Sequence, residues 1–142
     1  MKSDLDNKLV AIVRVRGKIG VRRTINETLE RLNVPRVNSA ALLFGTSSNL
    51  GMIKKCNDFV TFGEIDGKTL EKLLLKKAGS KPSKEDLDKL VLGEKKAKEL
   101  VKLPIRLKPP KHGWEDTKLS YSNGGSVGYR GEAINALLNR MI

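Results

Sequence analysis

Five consecutive apolar residues, Leu9 to Val13 in "KLVAIVRVR", constrain this chain more than any other stretch. A run without polar alternation reads as a strand buried at its start, and the fold has to be assembled around it. From Val13 the pattern alternates, with Val13 and Val15 against Arg14 and Arg16, so the strand is expected to end with arginines on one face.

The next segments supply partners for that strand. "TINETLERLN" sets Ile25, Leu29 and Leu32 on one helical face, with Thr24 and Glu27 in the spacing of a capping box and Asn33 and Pro35 as the stop. "VNSAALLFG", Val37 to Gly45, predicts a second strand, small and apolar enough to sit centrally or beneath helices. A short helix follows, capped by Ser47 or Ser48, with Leu50, Ile53 and Cys56 inward and Lys54 and Lys55 outward. "FVTFGEI", Phe59 to Ile65, is the third expected strand. The segment from Met1 to Asp66 therefore reads β-α-β-α-β, with one sheet whose exposed face two helices would cover.

Composition changes at Asp66. Residues 67–101 are rich in Lys, Leu and Glu, and three short helices are expected on Leu70, Leu73 and Leu74, on Leu87, Leu90 and Val91, and on Ala97, Leu100 and Val101. Ser83 is a helix start with Asp86 three residues on. Residues 102–130 hold three of the five prolines and little periodicity, which predicts an extended, loop-rich stretch. Residues 131–142 return to helical spacing through Ile134, Leu137, Leu138 and Met141.

Charge narrows the function. With 28 Lys and Arg against 16 Asp and Glu, the net charge is +12, more asymmetry than solubility requires, and a polyanionic partner is implied. Nucleic acid is favoured over a membrane surface, because no stretch combines a basic face with exposed Trp, Phe and Leu. No apolar run approaches the roughly 20 residues of a membrane span, and "MKSDLDNK" lacks the apolar centre of a signal peptide, so a cytosolic location is expected.

Catalysis is disfavoured. Cys56 is the one cysteine and His112 the one histidine, which excludes an intrachain disulfide and leaves too few ligands for a zinc site within the chain. There is no G-x-x-x-x-G-K-S/T loop, and the glycines of "GGSVGYRG" lack a strand-turn-helix setting. Asp58, Glu64 and Asp66 flank the third strand as ordinary caps and solvated turns. Neither a cofactor, a metal nor a small-molecule substrate is expected.

Two basic constellations carry the binding chemistry. In "RVRGKIGVRR" the side chains of Arg14, Arg16, Lys18, Arg22 and Arg23 converge on one turn with no acid among them. Gly17 and Gly20 let backbone N–H groups approach an anion, and the helix that follows adds a favourable partial charge. "GKIG" has the spacing of the KH-domain loop but follows a strand, and the first strand lacks the aromatic residues with which an RRM stacks bases. The second constellation places Arg106, Lys108, Lys111 and His112 on a proline-stiffened segment, with Trp114 and Tyr129 as stacking residues or as pins to the core. Arg130 adds a further charge beside Tyr129. None of the helices offers the Arg, Asn and Gln face that reads a DNA groove, so folded RNA, held by shape and phosphate contact, is the better match.

Four blocks, "VAIVRVRGKIGV", "FGTSSNLGMIKKCNDFVTFGEID", "LPIRLKPPKHGW" and "GGSVGYRGEAINALLNRMI", resemble in order the archaeal form of the large-subunit ribosomal protein L-thirty family, whose eukaryotic counterpart is L-seven. The resemblance runs from Lys8 to Ile142. It implies an α+β fold: a β-α-β-α-β core related to a ferredoxin-like arrangement, with a three-stranded antiparallel sheet in the order three, one, two. The helical crossovers alone would have suggested parallel neighbours. It further implies an rRNA-binding core at 1–66 and an archaeal and eukaryotic extension at 67–142. The implied role is a non-catalytic constituent of the cytoplasmic large ribosomal subunit, with 23S-type rRNA and neighbouring ribosomal proteins as partners. A free RNA-binding regulator or assembly chaperone is the alternative. By position, Arg16, Lys18, Arg22 and Arg23 become phosphate ligands, with Lys54 and Lys55 as secondary candidates. Arg106, Lys108, His112 and Trp114 fall in the extension block, and Gly128 to Arg130 in the C-terminal one.

Overall fold

A computed structural model describes residues 8–78, 83–92 and 105–142. The elements run β1 (Leu9–Arg14), α1 (Arg23–Arg31), β2 (Ser39–Phe44), α2 (Ser47–Lys55), β3 (Val60–Glu64), α3 (Gly67–Ala78) and α4 (Lys84–Leu92). They continue as β4 (Ile105–Arg106), β5 (Asp116–Ser120), β6 (Gly125–Tyr129) and α5 (Ile134–Met141), with single 3-10 turns at Tyr121–Asn123 and Gly131–Ala133. The architecture is α+β, as expected, but the sheet has six strands in the order β4-β2-β1-β3-β6-β5, not three.

The three expected strands form its centre. Ile12 of β1 lies opposite Ala41 of β2 on one side and Phe62 of β3 on the other, both pairings antiparallel. The direction follows from where the first crossover delivers the chain: the Asn38 N–H donates to the Arg14 carbonyl at 3.0 Å, so β2 starts where β1 stops. The stretch expected to be extended and loop-rich supplies the other three strands. β4 pairs antiparallel with β2 through Ser39 and Arg106, β6 lies parallel to β3 through Thr61 and Gly128, and β5 pairs parallel with β6.

Both faces of the sheet are covered, which is why Leu9 to Val13 are apolar without a break. Leu9, Ala11 and Val13 pack with Leu70, Leu73 and Leu74 of α3, Leu90 of α4 and Ile134, Leu137, Leu138 and Met141 of α5. Val10 and Ile12 face Leu29 and Leu32 from α1 and its end, and Leu50, Ile53 and Cys56 from α2 and its end. The two helices anticipated before Asp66 cover one face only; the second face depends on α3, α4 and α5. α5 approaches so closely that a side chain on Gly63 of β3 would collide with the Gly131 carbonyl.

Several local expectations are corrected. The capping box is not made: α1 starts at Arg23, Arg22 occupies the N-cap without a side-chain bond, and Thr24 lies inside the helix with its carbonyl accepting from the Thr28 hydroxyl at 2.8 Å. Thr46, rather than Ser47 or Ser48, caps α2 by accepting from the Asn49 N–H at 3.3 Å. The second strand begins at Ser39, after Asn38 at φ 62°. Ser83 does cap α4, its hydroxyl accepting from the Asp86 N–H at 3.2 Å, but Val91 is exposed while Leu90 is buried. The helix expected on Ala97, Leu100 and Val101 lies outside the described residues.

A chain ending at Asp66 keeps β1, β2 and β3 but uncovers Leu9, Ala11, Val13, Ala40 and Leu42. Its expected behaviour is loss of cooperative unfolding and of near-ultraviolet circular dichroism, with aggregation at micromolar concentration. A sharp thermal transition in this fragment would show that the segment up to Asp66 stands alone.

Candidate nucleic-acid interface

One end of the sheet gathers segments that are distant in sequence. The N–H groups of Val15 and Arg16 both donate to the Phe59 carbonyl, at 3.0 and 3.3 Å, joining the exit of β1 to the entry of β3. Asn38 is bonded to Arg14, and the Leu107 N–H donates to the Asn38 carbonyl at 3.0 Å, so the loop before β2 and the exit of β4 meet at the same end. Here the structure brings together the turn carrying Lys18, Arg22 and Arg23, the loop carrying Arg36, and Arg106 on β4; all five side chains are exposed. Lys54 and Lys55, also exposed, end the helix that leads into β3. Arg36 is missed by reading the sequence alone. A lone arginine in "NVPRVN" carries no cluster signal, and only the return of this loop to the end of β1 gives it neighbours.

Within this group the side chains differ in freedom. Arg16 is half-buried, its guanidinium 5.2 Å from the centre of the Phe59 ring. Arg23 pairs with Glu27 one helical turn on, Nε to Oε1 at 3.1 Å, an exposed contact worth a few tenths of a kcal/mol that a phosphate can displace. Lys18 and Arg22 project freely from the turn and the N-cap. With no side-chain cap and no acid in the first turn of α1, the leading N–H groups add their own attraction for an anion.

Arg14 corrects the expectation of a phosphate ligand. It is fully buried beneath the end of α1. Its Nη1 donates to the carbonyls of Val34 at 3.2 Å and Pro35 at 2.9 Å, and its Nε to the Arg16 carbonyl at 2.8 Å. Desolvation lowers its pKa, with Cys56 and Glu30 acting in the opposite sense. Arg14 is therefore a strap between the two loops that display Lys18 and Arg36. Beside it Cys56 is buried, and burial pushes its thiol up while Lys55 and Arg14 pull it down.

The second constellation divides. Arg106 joins the basic end. Lys108, Lys111 and His112, all exposed, follow on a segment clamped to the end of α5: the Lys108 N–H donates to Met141 at 3.1 Å, and Arg140 donates from Nε and Nη2 to the Lys111 carbonyl at 3.0 and 2.7 Å. Trp114 is half-buried and packs on the core, the pinning role. Tyr129 and Arg130 are also turned to internal work. The Tyr129 hydroxyl donates to Glu64 at 3.0 Å, and its ring lies 5.7 Å from that of Phe62. Arg130 donates to the Thr61 hydroxyl at 2.7 Å and the Ser126 carbonyl at 3.0 Å, and sits 4.8 Å from the Tyr121 ring. Burial lowers the pKa of Arg130.

Acidic groups collect at the other end of the sheet. Glu64, Asp66 and Glu132 surround a shallow cavity with Ile65 and Asn135, where β3 finishes beside Val10 of β1. Lys8 reaches the same end, its Nζ 3.8 Å from Glu64 Oε1, so these carboxylates are partly compensated, while the opposite end carries the larger excess of cations. Among the described residues, no group of three or more His, Cys, Asp or Glu could hold a metal ion, and no helix is long and apolar enough to cross a membrane.

Comparison with known proteins finds relatives along nearly the whole chain. The family described as Ribosomal protein L30p/L7e matches residues 10–60. Large ribosomal subunit protein uL30 of Methanococcus maripaludis is 40% identical over 151 residues, covering 93% of this chain and 98% of the relative. The uL30 protein of Thermoplasma volcanium is 41% identical over 153 residues (94% and 93%), and that of Methanobrevibacter smithii 38% over 149 (92% and 98%).

Two stability measurements check the division between buried and displayed cations. Arg14→Ala strands the Val34 and Pro35 carbonyls and opens a void, an expected loss of about 2–4 kcal/mol in urea unfolding. Arg22→Glu with Arg23→Glu leaves the midpoint where it was. For Cys56, the folded chain holds the thiol protonated above the pH at which the unfolded chain releases its proton. Its contribution to stability is therefore constant below about pH 8.5 and falls above it; Cys56→Ala removes that part of the decline, read from urea midpoints across alkaline pH.

Proposed function

The chain belongs to the uL30 family of large-subunit ribosomal proteins, and from that premise we propose that it is a structural constituent of the large ribosomal subunit in the cytoplasm, binding and bracing folded 23S-type rRNA. The family is one of ribosomal structural proteins, not enzymes. The observation that carries the reading is the convergence of Lys18, Arg22, Arg23, Arg36 and Arg106 on one end of the sheet, with Arg16, Lys54 and Lys55 beside them. Side chains from four separate segments, fixed to one another by backbone hydrogen bonds, suit an RNA surface of fixed shape.

In this reading Lys18, Arg22 and Arg23 are phosphate ligands and Arg106 extends their surface. Lys108, Lys111 and His112 form a neighbouring patch. Residues 1–66 carry most of the rRNA-binding end, and residues 67–142 are the archaeal and eukaryotic extension that completes the sheet. Neighbouring ribosomal proteins are the further partners, and the acidic end around Glu64, Asp66 and Glu132 is the surface least suited to RNA.

Binding to purified large-subunit rRNA tests the reading. Affinity is expected to fall linearly on a log-log plot against salt, with a slope of roughly 0.7 to 0.9 per phosphate neutralised. Arg22→Glu with Arg23→Glu should reduce that slope by about two. A flat salt response overturns the proposal. Sedimentation of the endogenous protein separates a resident component, which stays in the large-subunit peak through a high-salt wash, from a free regulator or assembly chaperone, which leaves it.

A further inference from the structure

The turn between β1 and α1 displays an apolar side chain as well as cations. Lys18 to Val21 form a tight turn, closed by the Val21 N–H donating to the Lys18 carbonyl at 3.3 Å, with Gly20 at φ 76° in its third position. That conformation calls for glycine at position 20 and asks nothing apolar of position 19. Yet position 19 is isoleucine, and its relative exposure of 102% is the highest among the exposed large hydrophobic residues, the next being Leu92 at 67%. Ile19 gives folding nothing, since it is as wet as in an unfolded chain. Val37, also exposed, lies 3.8 Å from the position a Gly17 side chain would take, so a second aliphatic group borders the turn.

We propose that Ile19 packs against an unstacked base of the RNA bound at the basic end, as an apolar wedge at the centre of a phosphate-binding surface. The inference rests on the rRNA reading above and names what lies at the middle of that contact. The surrounding charges choose the occupant. Exposed Lys18, Arg22 and Arg23 lie within four residues of Ile19, and exposed Arg36 precedes the Val37 that borders the turn; a polyanion is the partner such a group of cations attracts. Regular duplex RNA offers phosphates, a major groove too deep and narrow to enter and a shallow minor groove lined by polar 2′-hydroxyls and base edges, so against a duplex Ile19 gains little apolar contact. A nucleotide turned out of a loop or bulge offers a flat apolar face, on which side-chain contact is insensitive to base identity. The site is therefore predicted to prefer a non-helical nucleotide flanked by phosphates over continuous duplex.

The test uses the full chain and purified large-subunit rRNA over a series of salt concentrations. Ile19→Ser is expected to weaken binding roughly tenfold with the salt slope unchanged, because apolar area and not charge is lost. Lys18→Ala lowers the slope by about one, and Ile19→Phe holds or tightens binding. Melting temperatures of the Ile19 variants match the parent; a destabilised Ile19→Ser would make the residue structural and overturn the inference. Unchanged rRNA affinity of Ile19→Ser also overturns it, and if that variant is retained poorly in assembled subunits, the contact is to a protein neighbour. Should the parent chain itself show no salt-dependent rRNA binding, the rRNA reading fails first, a result distinguishable from failure of the wedge alone.

Discussion

The burial of β1 on both faces is the constraint from which the rest of the structure follows. A strand whose successive side chains are all apolar cannot leave either face to water, so helices must be supplied on both sides. α1 and α2, both N-terminal to Asp66, cover one face. The other face waits for α3, α4 and α5, which come from a segment of different composition. The sheet is consequently the joint between the two halves of the sequence, and neither half encloses β1 without the other.

The same strand dictates the character of the basic end. Its last residue, Arg14, continues the inward alternation and is carried beneath the end of α1, where the Val34 and Pro35 carbonyls accept from Nη1 and the Arg16 carbonyl from Nε, while Nη2 is buried without a partner. Placing a guanidinium there costs desolvation, reflected in its lowered pKa. The gain is geometric: one side chain fixes the backbone on both sides of the surface that displays Lys18 and Arg36. A rigid display loses less conformational entropy on binding than five loose side chains on loose loops would. The charge left free for a partner is accordingly smaller than the count of cations suggests, since Arg14 and Arg130 donate to carbonyls and hydroxyls inside the fold.

The sequence was most informative where a periodic apolar face meets a core. Leu29 and Leu32, Leu70, Leu73 and Leu74, and the series Ile134, Leu137, Leu138 and Met141 are all buried as their spacing requires. It was least informative where the answer depended on a distant segment. Alternation assigned Arg14 to a face but could not reveal that Pro35 would roof it. Thr24 and Glu27 have the spacing of a capping box, yet Arg23 lies one turn before Glu27 and claims it, and the helix begins a residue earlier. β6, "GSVGY", carries two glycines in its short span and so lacks a strand signature; it is a strand because Thr61 and Phe62 of β3 present an open edge. Tyr129 and Arg130 looked like surface ligands because their partners, Glu64 and Thr61, lie far upstream in the chain. Of the candidate site, the turn from Lys18 to Arg23 was legible because its residues are contiguous; the contribution of Arg36 was not, because it exists only after folding.

The two ends of the strands then act as one electrostatic device. Most of the displayed cations, on the segments that flank β1, β2 and β4, face one way, while Glu64, Asp66 and Glu132 lie where β3 and the turn into α5 meet at the other, with Lys8 paired to Glu64 there. A molecule with a net charge of +12 would be drawn to RNA in any orientation if its cations were spread evenly. Polarisation along the sheet favours the orientations that bring Lys18 and Arg106 toward the polyanion and turn the carboxylates away. The extension strengthens this polarity at both ends, because β4 adds Arg106 to the basic end and the turn before α5 adds Glu132 to the acidic one. Completing the hydrophobic cover of β1 and sharpening the charge asymmetry are thus achieved by the same added segment.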